Sequence, residues 1–289
     1  MKVNDKVKFD VVEASHLGMC FGVKAAISTA HELSAVSPVT ILGELAHNAS
    51  VKKSLELQGA RHSNLNAHKA NTKNVIITAH GASDKERSRW KQLGHKVTDT
   101  TCPLVHRAHS ALKNLVSSGY TPIVIGKANH VEVKGLMGDF PSAQSVMSLQ
   151  DVASLRIDNN KIGIVSQTTQ QIDHADQIVN AIKKRFINHE VRFVDTICRP
   201  TKDRQTALIK LCTDVQLVIV VGGANSNNTA QLAMKCRHLG CTAYHVQAPS
   251  DIQNDWFKDI YRVGLTAGTS TPDKDIDSVR QKLIELSLS

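Results

Sequence analysis

The sequence predicts an α/β protein of three related α/β modules with mainly parallel sheets. Three observations predict it. Apolar, β-branched runs too short for helices alternate with charged segments of helical spacing. A chain of 289 residues suits two or three compact modules that share buried surface. One local pattern, a strand running into a cysteine and then a helix, occurs three times at intervals of about one domain. The modules are expected at residues 10–102, carrying Cys20, at 103–197 and at 198–285.

The elements follow in order. "FDVVEASHLGM" leads to Cys20, and "FGVKAAISTAHEL" is an amphipathic helix behind it. "VTILGELAHN" and "NVIITAHGAS" are strands that end in small polar residues. The segment "DKERSRWKQLG" is a helix capped by Ser83 or Asp84 and stopped by Gly94. "HKVTDTT" leads to Cys102, and Pro103 opens the next helix, "PLVHRAHSALKNLV", where its missing N–H costs nothing. "TPIVIGKANH" and "KIGIVSQTTQ" are the next strands, "VRFVDTI" leads to Cys198, and "RPTKDRQTALIKLC" is its helix. "LVIVVGGANSNN" and "RVGLTAGTSTP" close the series.

Alternating strands and helices imply parallel sheets covered on both faces, which bind ligands beyond the carboxyl ends of their strands. Those ends carry His47, His80, His130, Glu132, Thr168, Ser226, Asn227, Asn228 and Ser270, with almost no Lys or Arg. Hydroxyls, amides and imidazoles, joined by backbone amides at glycine turns and helix starts, suit a compact oxyanion such as a diphosphate.

Cysteines at 20, 102, 198, 212, 236 and 241 are too sparse for a secreted disulfide framework, so reduced thiols are expected. A thiol at a helix N-terminus has its thiolate favoured, and the thiolate is the form that ligates metal. Cys20, Cys102 and Cys198 all sit at such positions, and the last two share the motif Asp-Thr-x-Cys. Cys212 reads as core, and Cys236 and Cys241, flanking His238 in "KCRHLGC", as a helix end with buried thiols.

No apolar stretch reaches the length of a membrane span, and "MKVNDKVKFD" has no signal-peptide character, so a cytoplasmic protein without a membrane partner is expected. The formal charge of +9 fits an acidic or phosphorylated partner or simply a basic surface. With 4% aromatic residues there is no evident stacking platform for single-stranded nucleic acid, and no nucleic-acid partner is expected.

Taken together, "GMCFGV", "ELAHN", "TAHG", "TCPLV", "HVEVKG", "SQTT", "DTIC" with "DRQ" after it, "GGANSNN" and "TAGTSTPD" resemble the 4-hydroxy-3-methylbut-2-enyl diphosphate reductase family, in its motif order, from about residue 10 to 285. The resemblance implies three α/β domains in pseudo-threefold arrangement around a central cavity. Cys20, Cys102 and Cys198 would ligate a 4Fe-4S cluster with one iron open, and the Asp-Thr pairs before Cys102 and Cys198 would hydrogen-bond around the sulfurs. It implies reductive removal of the substrate's hydroxyl to give isopentenyl and dimethylallyl diphosphate, with ferredoxin or flavodoxin as electron donor. Glu132 matches the proton donor, Thr168 its helper near the hydroxyl, and His47, His80, His130, Ser226, Asn228 and Ser270 the diphosphate network. The chain departs from the family pattern at Asn227, usually Ser, at Val131, usually Pro, and at Leu17 and Met19 in the customary Arg-Gly-Phe. The residues alone also admit another three-cysteine 4Fe-4S enzyme of quinolinate-synthase type, or a basic nucleic-acid-binding protein with structural cysteines.

Overall fold

The computed structural model describes residues 8–46 and 48–288, with the backbone alone at Asn227. In chain order, β1 (Asp10–Glu13) leads through a loop to Cys20 and α1 (Phe21–Val36). β2 (Val39–Leu42), α2 (Ala49–Leu57), β3 (Arg61–Ser63), β4 (Asn74–Ile77), α3 (Asp84–Gln92) and β5 (Lys96–Asp99) precede Cys102. α4 (Pro103–Ser117), β6 (Thr121–Ile125), α5 (Val131–Met137), β7 (Gln144–Val146), α6 (Leu149–Ser154), β8 (Lys161–Ser166), α7 (Ile172–Arg185) and β9 (Glu190–Phe193) precede Cys198. α8 (Arg199–Asp214), β10 (Leu217–Val221), α9 (Asn227–His238), β11 (Thr242–Val246), β12 (Arg262–Ala267) and α10 (Asp273–Leu288) follow.

Local chemistry accounts for the helix limits. The Ser83 hydroxyl accepts from Glu86 N–H at 3.2 Å and caps α3, and Gly94 takes the left-handed turn after it at φ +83°. Pro103 occupies the first turn of α4, with Cys102 as N-cap. Among the described residues no helix is long and apolar enough to cross a membrane.

The strands form three four-stranded sheets, all parallel, in the orders β3-β2-β4-β5, β7-β6-β8-β9 and β11-β10-β12-β1. These are one topology written three times, with the strand that runs into a cysteine always at the same edge. The third copy is permuted. Its edge strand is β1, so the strand leading to Cys20 pairs with β12, Asp10 opposite Arg262, while sequence order groups it with residues 10–102. The physical reason is complementarity. β12 would otherwise expose an unpaired edge, and β1 supplies it with a parallel ladder.

Alternation within the central strands builds the cores. Leu217, Ile219 and Val221 of β10 face a cluster with Ile276, Val279 and Leu283 of α10, and Val218 and Val220 face Leu208 and Leu211 of α8 and Leu232 and Ala233 of α9. In the β6–β9 sheet, Ile123, Ile125, Ile162 and Ile164 pack against Ile178 and Ile182 of α7, whereas Val124 and Val165 pack against Leu112 of α4 and Leu136 of α5. The chain divides into two compact units. One comprises the described parts of Met1–Val23, Ala46–Lys53 and Lys202–Ser289 and holds the β1, β10–β12 sheet. The other, Lys24–Leu45 with Ser54–Thr201, holds the other two sheets.

Candidate active site

The three cysteines are presented by one repeated backbone device. The N–H of Cys20 donates to the Thr269 carbonyl at 3.1 Å, that of Cys102 to Ala79 at 3.1 Å, and that of Cys198 to Thr168 at 2.9 Å. Each acceptor lies two residues beyond the end of the neighbouring strand: β12, β4 or β8. The residue two before each cysteine is tied to that strand's last carbonyl. Gly18 N–H bonds to Ala267, Thr100 N–H and hydroxyl to Ile77, and the Thr196 hydroxyl to Ser166. Each half-buried thiol thereby stands at the start of a long helix, α1, α4 or α8.

The Asp-Thr-x-Cys repeat is part of this device. Asp99 Oδ1 accepts from the N–H of Thr101 at 2.9 Å, and Asp195 Oδ1 from that of Ile197 at 3.0 Å, so each aspartate closes an Asx turn on the residue before the cysteine. Burial raises the Asp99 pKa, but bonds from the Thr101 hydroxyl and N–H and from Arg87 outweigh it, and the net shift is downward. The motif's aspartates thus shape the turn that leads into each cysteine. On the helix side, Cys198 Sγ lies 3.1 Å from Thr201 Oγ1. Sequence reasoning also missed Arg204, in the "DRQ" stretch, whose buried guanidinium donates to the Gly18 carbonyl at 2.5 Å.

In the larger unit, Glu132, Thr168, His130 and His80 come together. Glu132 lies in the first turn of α5 and is 1% exposed. Its carboxylate accepts the Thr168 N–H at 2.6 Å and the Thr168 hydroxyl at 3.0 Å. Burial pushes its pKa up to about 7, partly offset by these two bonds. His130 caps α5 by accepting the Glu132 N–H at Nδ1, 3.2 Å, which places its neutral-form hydrogen on Nε2. The His80 ring meets the His130 ring edge-on at 5.8 Å. Gly138, after α5, packs closely on the start of α3, where a Cβ would stand 2.8 Å from Ser83.

In the smaller unit, Ser226, Asn228 and Ser270 are all buried beside the ends of β10 and β12. Ser226 caps α9 by accepting the Thr229 N–H at 3.3 Å, and Asn228 Oδ1 accepts the Thr269 N–H at 3.0 Å. With those acceptors engaged, the hydroxyl hydrogen and the amide NH₂ are what these residues have to offer an anion. A Cβ on Gly222 or Gly268 would collide with the Thr229 side chain, so both strand ends need glycine. His47 lies outside the described residues, as does the side chain of Asn227.

The glycine placed directly after β2, β6 and β10 is followed four residues later by His47, His130 and Ser226, so these site positions also recur with the module. Among the described residues no three His, Cys, Asp or Glu side chains gather as a metal site. Two of the three motif thiols, Cys102 and Cys198, belong to the larger unit and Cys20 to the smaller.

Known proteins resemble this chain over most of its length. A reductase of Aquifex aeolicus (strain VF5), named 4-hydroxy-3-methylbut-2-enyl diphosphate reductase, is 34% identical over 283 residues, 96% of each chain. The protein of the same name from Pelobacter propionicus is 36% identical over 282 residues, covering 96% of this chain and 98% of its own. The solved E-1-hydroxy-2-methyl-but-2-enyl-4-diphosphate reductase of Plasmodium falciparum superposes with a TM-score of 0.87 at 31% identity, over 94% of this chain and 86% of that one. A second solved structure, of (E)-4-hydroxy-3-methyl-but-2-enyl diphosphate reductase, gives a TM-score of 0.69 at 33% identity, over 96% and 99%. The family described as LytB protein matches residues 11–284, which contain every candidate residue above, and the chain belongs to that family.

Proposed function

We propose that this protein reduces 4-hydroxy-3-methylbut-2-enyl diphosphate to isopentenyl diphosphate and dimethylallyl diphosphate, consuming two electrons and two protons and releasing water. The observation that carries the reading is Glu132, a fully buried carboxyl gripped by Thr168, in a chain that matches the family across 11–284. With its pKa near 7, Glu132 holds a proton at neutral pH that it can pass to a departing hydroxyl. Thr168 fixes the carboxyl in place. His80, His130, Ser226, Asn228 and Ser270 donate hydrogen bonds to the diphosphate, joined by His47 and Asn227 on the strength of the family pattern. Neutral donors and helix starts hold such an anion without adding charge to a closed site.

Cys20, Cys102 and Cys198 would ligate a 4Fe-4S cluster. The donor set fits, because three half-buried thiols are delivered by three copies of one turn at three helix starts. When bound, such a cluster supplies single-electron transfer and one iron open to substrate. Ferredoxin or flavodoxin is proposed as electron donor, and the cytoplasm as the location. The family match gives nothing to the quinolinate-synthase or nucleic-acid readings.

The test is anaerobic purification with iron and sulfide analysis, then the allylic diphosphate with a chemical reductant and mass spectrometry of the products. Both five-carbon diphosphates are expected, and Cys102→Ser should lose most of the iron. A protein loaded with cluster that leaves the substrate intact would refute the assignment.

A further inference from the structure

The strand end that leads to Ser226 and Asn228 is held from the side by β11, the edge strand of its sheet. His245 stands opposite Val220, and Val246 opposite Val221, the last residue of β10. Both backbone polar groups of the next residue, Gly222, are taken up by β11. Its N–H donates to the Val246 carbonyl at 2.9 Å, and its carbonyl lies 2.9 Å from His245 Nε2. A carbonyl only accepts, so Nε2 carries the hydrogen. Ala243 packs in the cluster with α8 and α9, and alternation brings His245 to the same face, where the chain leaves for α9. Gln247 continues the grip. Its Oε1 accepts the Ala224 N–H at 3.1 Å, while its own N–H donates to Asp251 Oδ2 at 2.7 Å. The Ser226 N–H then closes on the Gly223 carbonyl at 2.9 Å.

The same device occurs in the β3-β2-β4-β5 sheet. There the edge strand is β3, and His62 stands opposite Ile41, again one residue before the end of the central strand. Gly43 follows that strand, its N–H donates to the Ser63 carbonyl at 2.8 Å, and its carbonyl lies 3.4 Å from His62 Nδ1. In the β7-β6-β8-β9 sheet the equivalent position, opposite Val124, is Ser145, so the pairing of the strands does not by itself require an imidazole.

We propose that His245 and Gln247 are positioning residues for diphosphate binding, a role that presupposes Ser226 and Asn228 as diphosphate donors. They act through Gly222 and Ala224. Their bonds fix the turn into α9 before a ligand arrives, so the Ser226 hydroxyl and the Asn228 amide need not be ordered at binding. The diphosphate passes through the reaction unchanged, and the grip on it serves bound substrate and transition state alike. Such uniform binding sets KM and leaves kcat where it is.

The experiment uses the anaerobically purified, cluster-loaded full chain. It measures KM and kcat for the allylic diphosphate, the Kd of inorganic pyrophosphate by calorimetry, and amide hydrogen exchange across residues 223–228 without ligand. His245→Phe should raise both KM and the pyrophosphate Kd about 3- to 10-fold, the effect of one lost hydrogen bond, with kcat and iron per chain unchanged. Exchange in the turn should quicken. His245→Gln, whose amide N–H can reach the same carbonyl, should recover most of the loss. Gln247→Ala alters an exposed side chain, so it folds as the parent does, and it should raise KM and Kd in the same sense. Parent-like KM and Kd in both His245→Phe and Gln247→Ala overturn the proposal, as does a fall in kcat at constant KM. A parent chain that binds neither diphosphate refutes the diphosphate reading itself. Exchange then decides the positioning role separately, and an unchanged rate in His245→Phe overturns it.

Discussion

At Glu132 burial and hydrogen bonding act in opposite directions, and burial wins. A carboxyl with a folded-state pKa near 7 and an ordinary unfolded value keeps its proton in the folded chain while the unfolded chain releases it. Its contribution to stability is therefore complete below the unfolded value and declines as pH rises to about 7, by roughly 3 kcal/mol in all. Glu132→Gln keeps an acceptor for the Thr168 N–H and cannot ionise. It should resist urea better than the parent at pH 8, with the advantage shrinking toward pH 5. The same substitution should retain iron and lower turnover by about 10²- to 10⁴-fold. Full activity in Glu132→Gln would remove it from the role of acid. In the parent enzyme, turnover should fall as pH rises through about 7, since the donor must be protonated.

At the scale of elements, the repeated turns govern where the cysteines stand. Asp195→Ala removes the acceptor for the Ile197 N–H and should lower iron per chain after anaerobic reconstitution. Asp195→Asn, whose amide oxygen accepts the same bond, should restore it, and equal losses in both variants would mean that charge and not the turn matters. Packing between strand and helix is as exacting. A Cβ on Gly163 of β8 would stand 2.9 Å from Tyr120 Cβ and 3.0 Å from Leu115 Cβ. Gly163→Ala should therefore cost about 1–3 kcal/mol, read as a lower urea midpoint at unchanged slope.

At the scale of the whole molecule, the formal charge of +9 bears on how electrons arrive. An acidic donor protein should be drawn to a basic chain, so the second-order rate of reduction by ferredoxin or flavodoxin should fall with added salt. Reduction by cationic methyl viologen radical should not fall. A rate with the protein donor that ignores salt would place recognition elsewhere.

Much of this was legible in the sequence because it depends on neighbours along the chain. Short β-branched runs, caps such as Ser83, stops such as Gly94, and cysteines at strand-to-helix turns are set within a few residues, and the threefold recurrence of the last revealed three modules. The order of the motifs along the chain likewise points to the family. The tertiary structure alone decided what depends on distant partners. β1 leaves its sequence neighbours for the open edge of β12, about 250 residues on, because an unpaired parallel edge is satisfied by whichever strand fits its ladder. It also decided that Asp99 and Asp195 hold turns while Thr201 reaches a sulfur, and that Arg204 braces Gly18. Hydrogen bonds and burial between remote segments leave no periodicity to read, so a linear sequence names the reactive groups more readily than it tells what surrounds them.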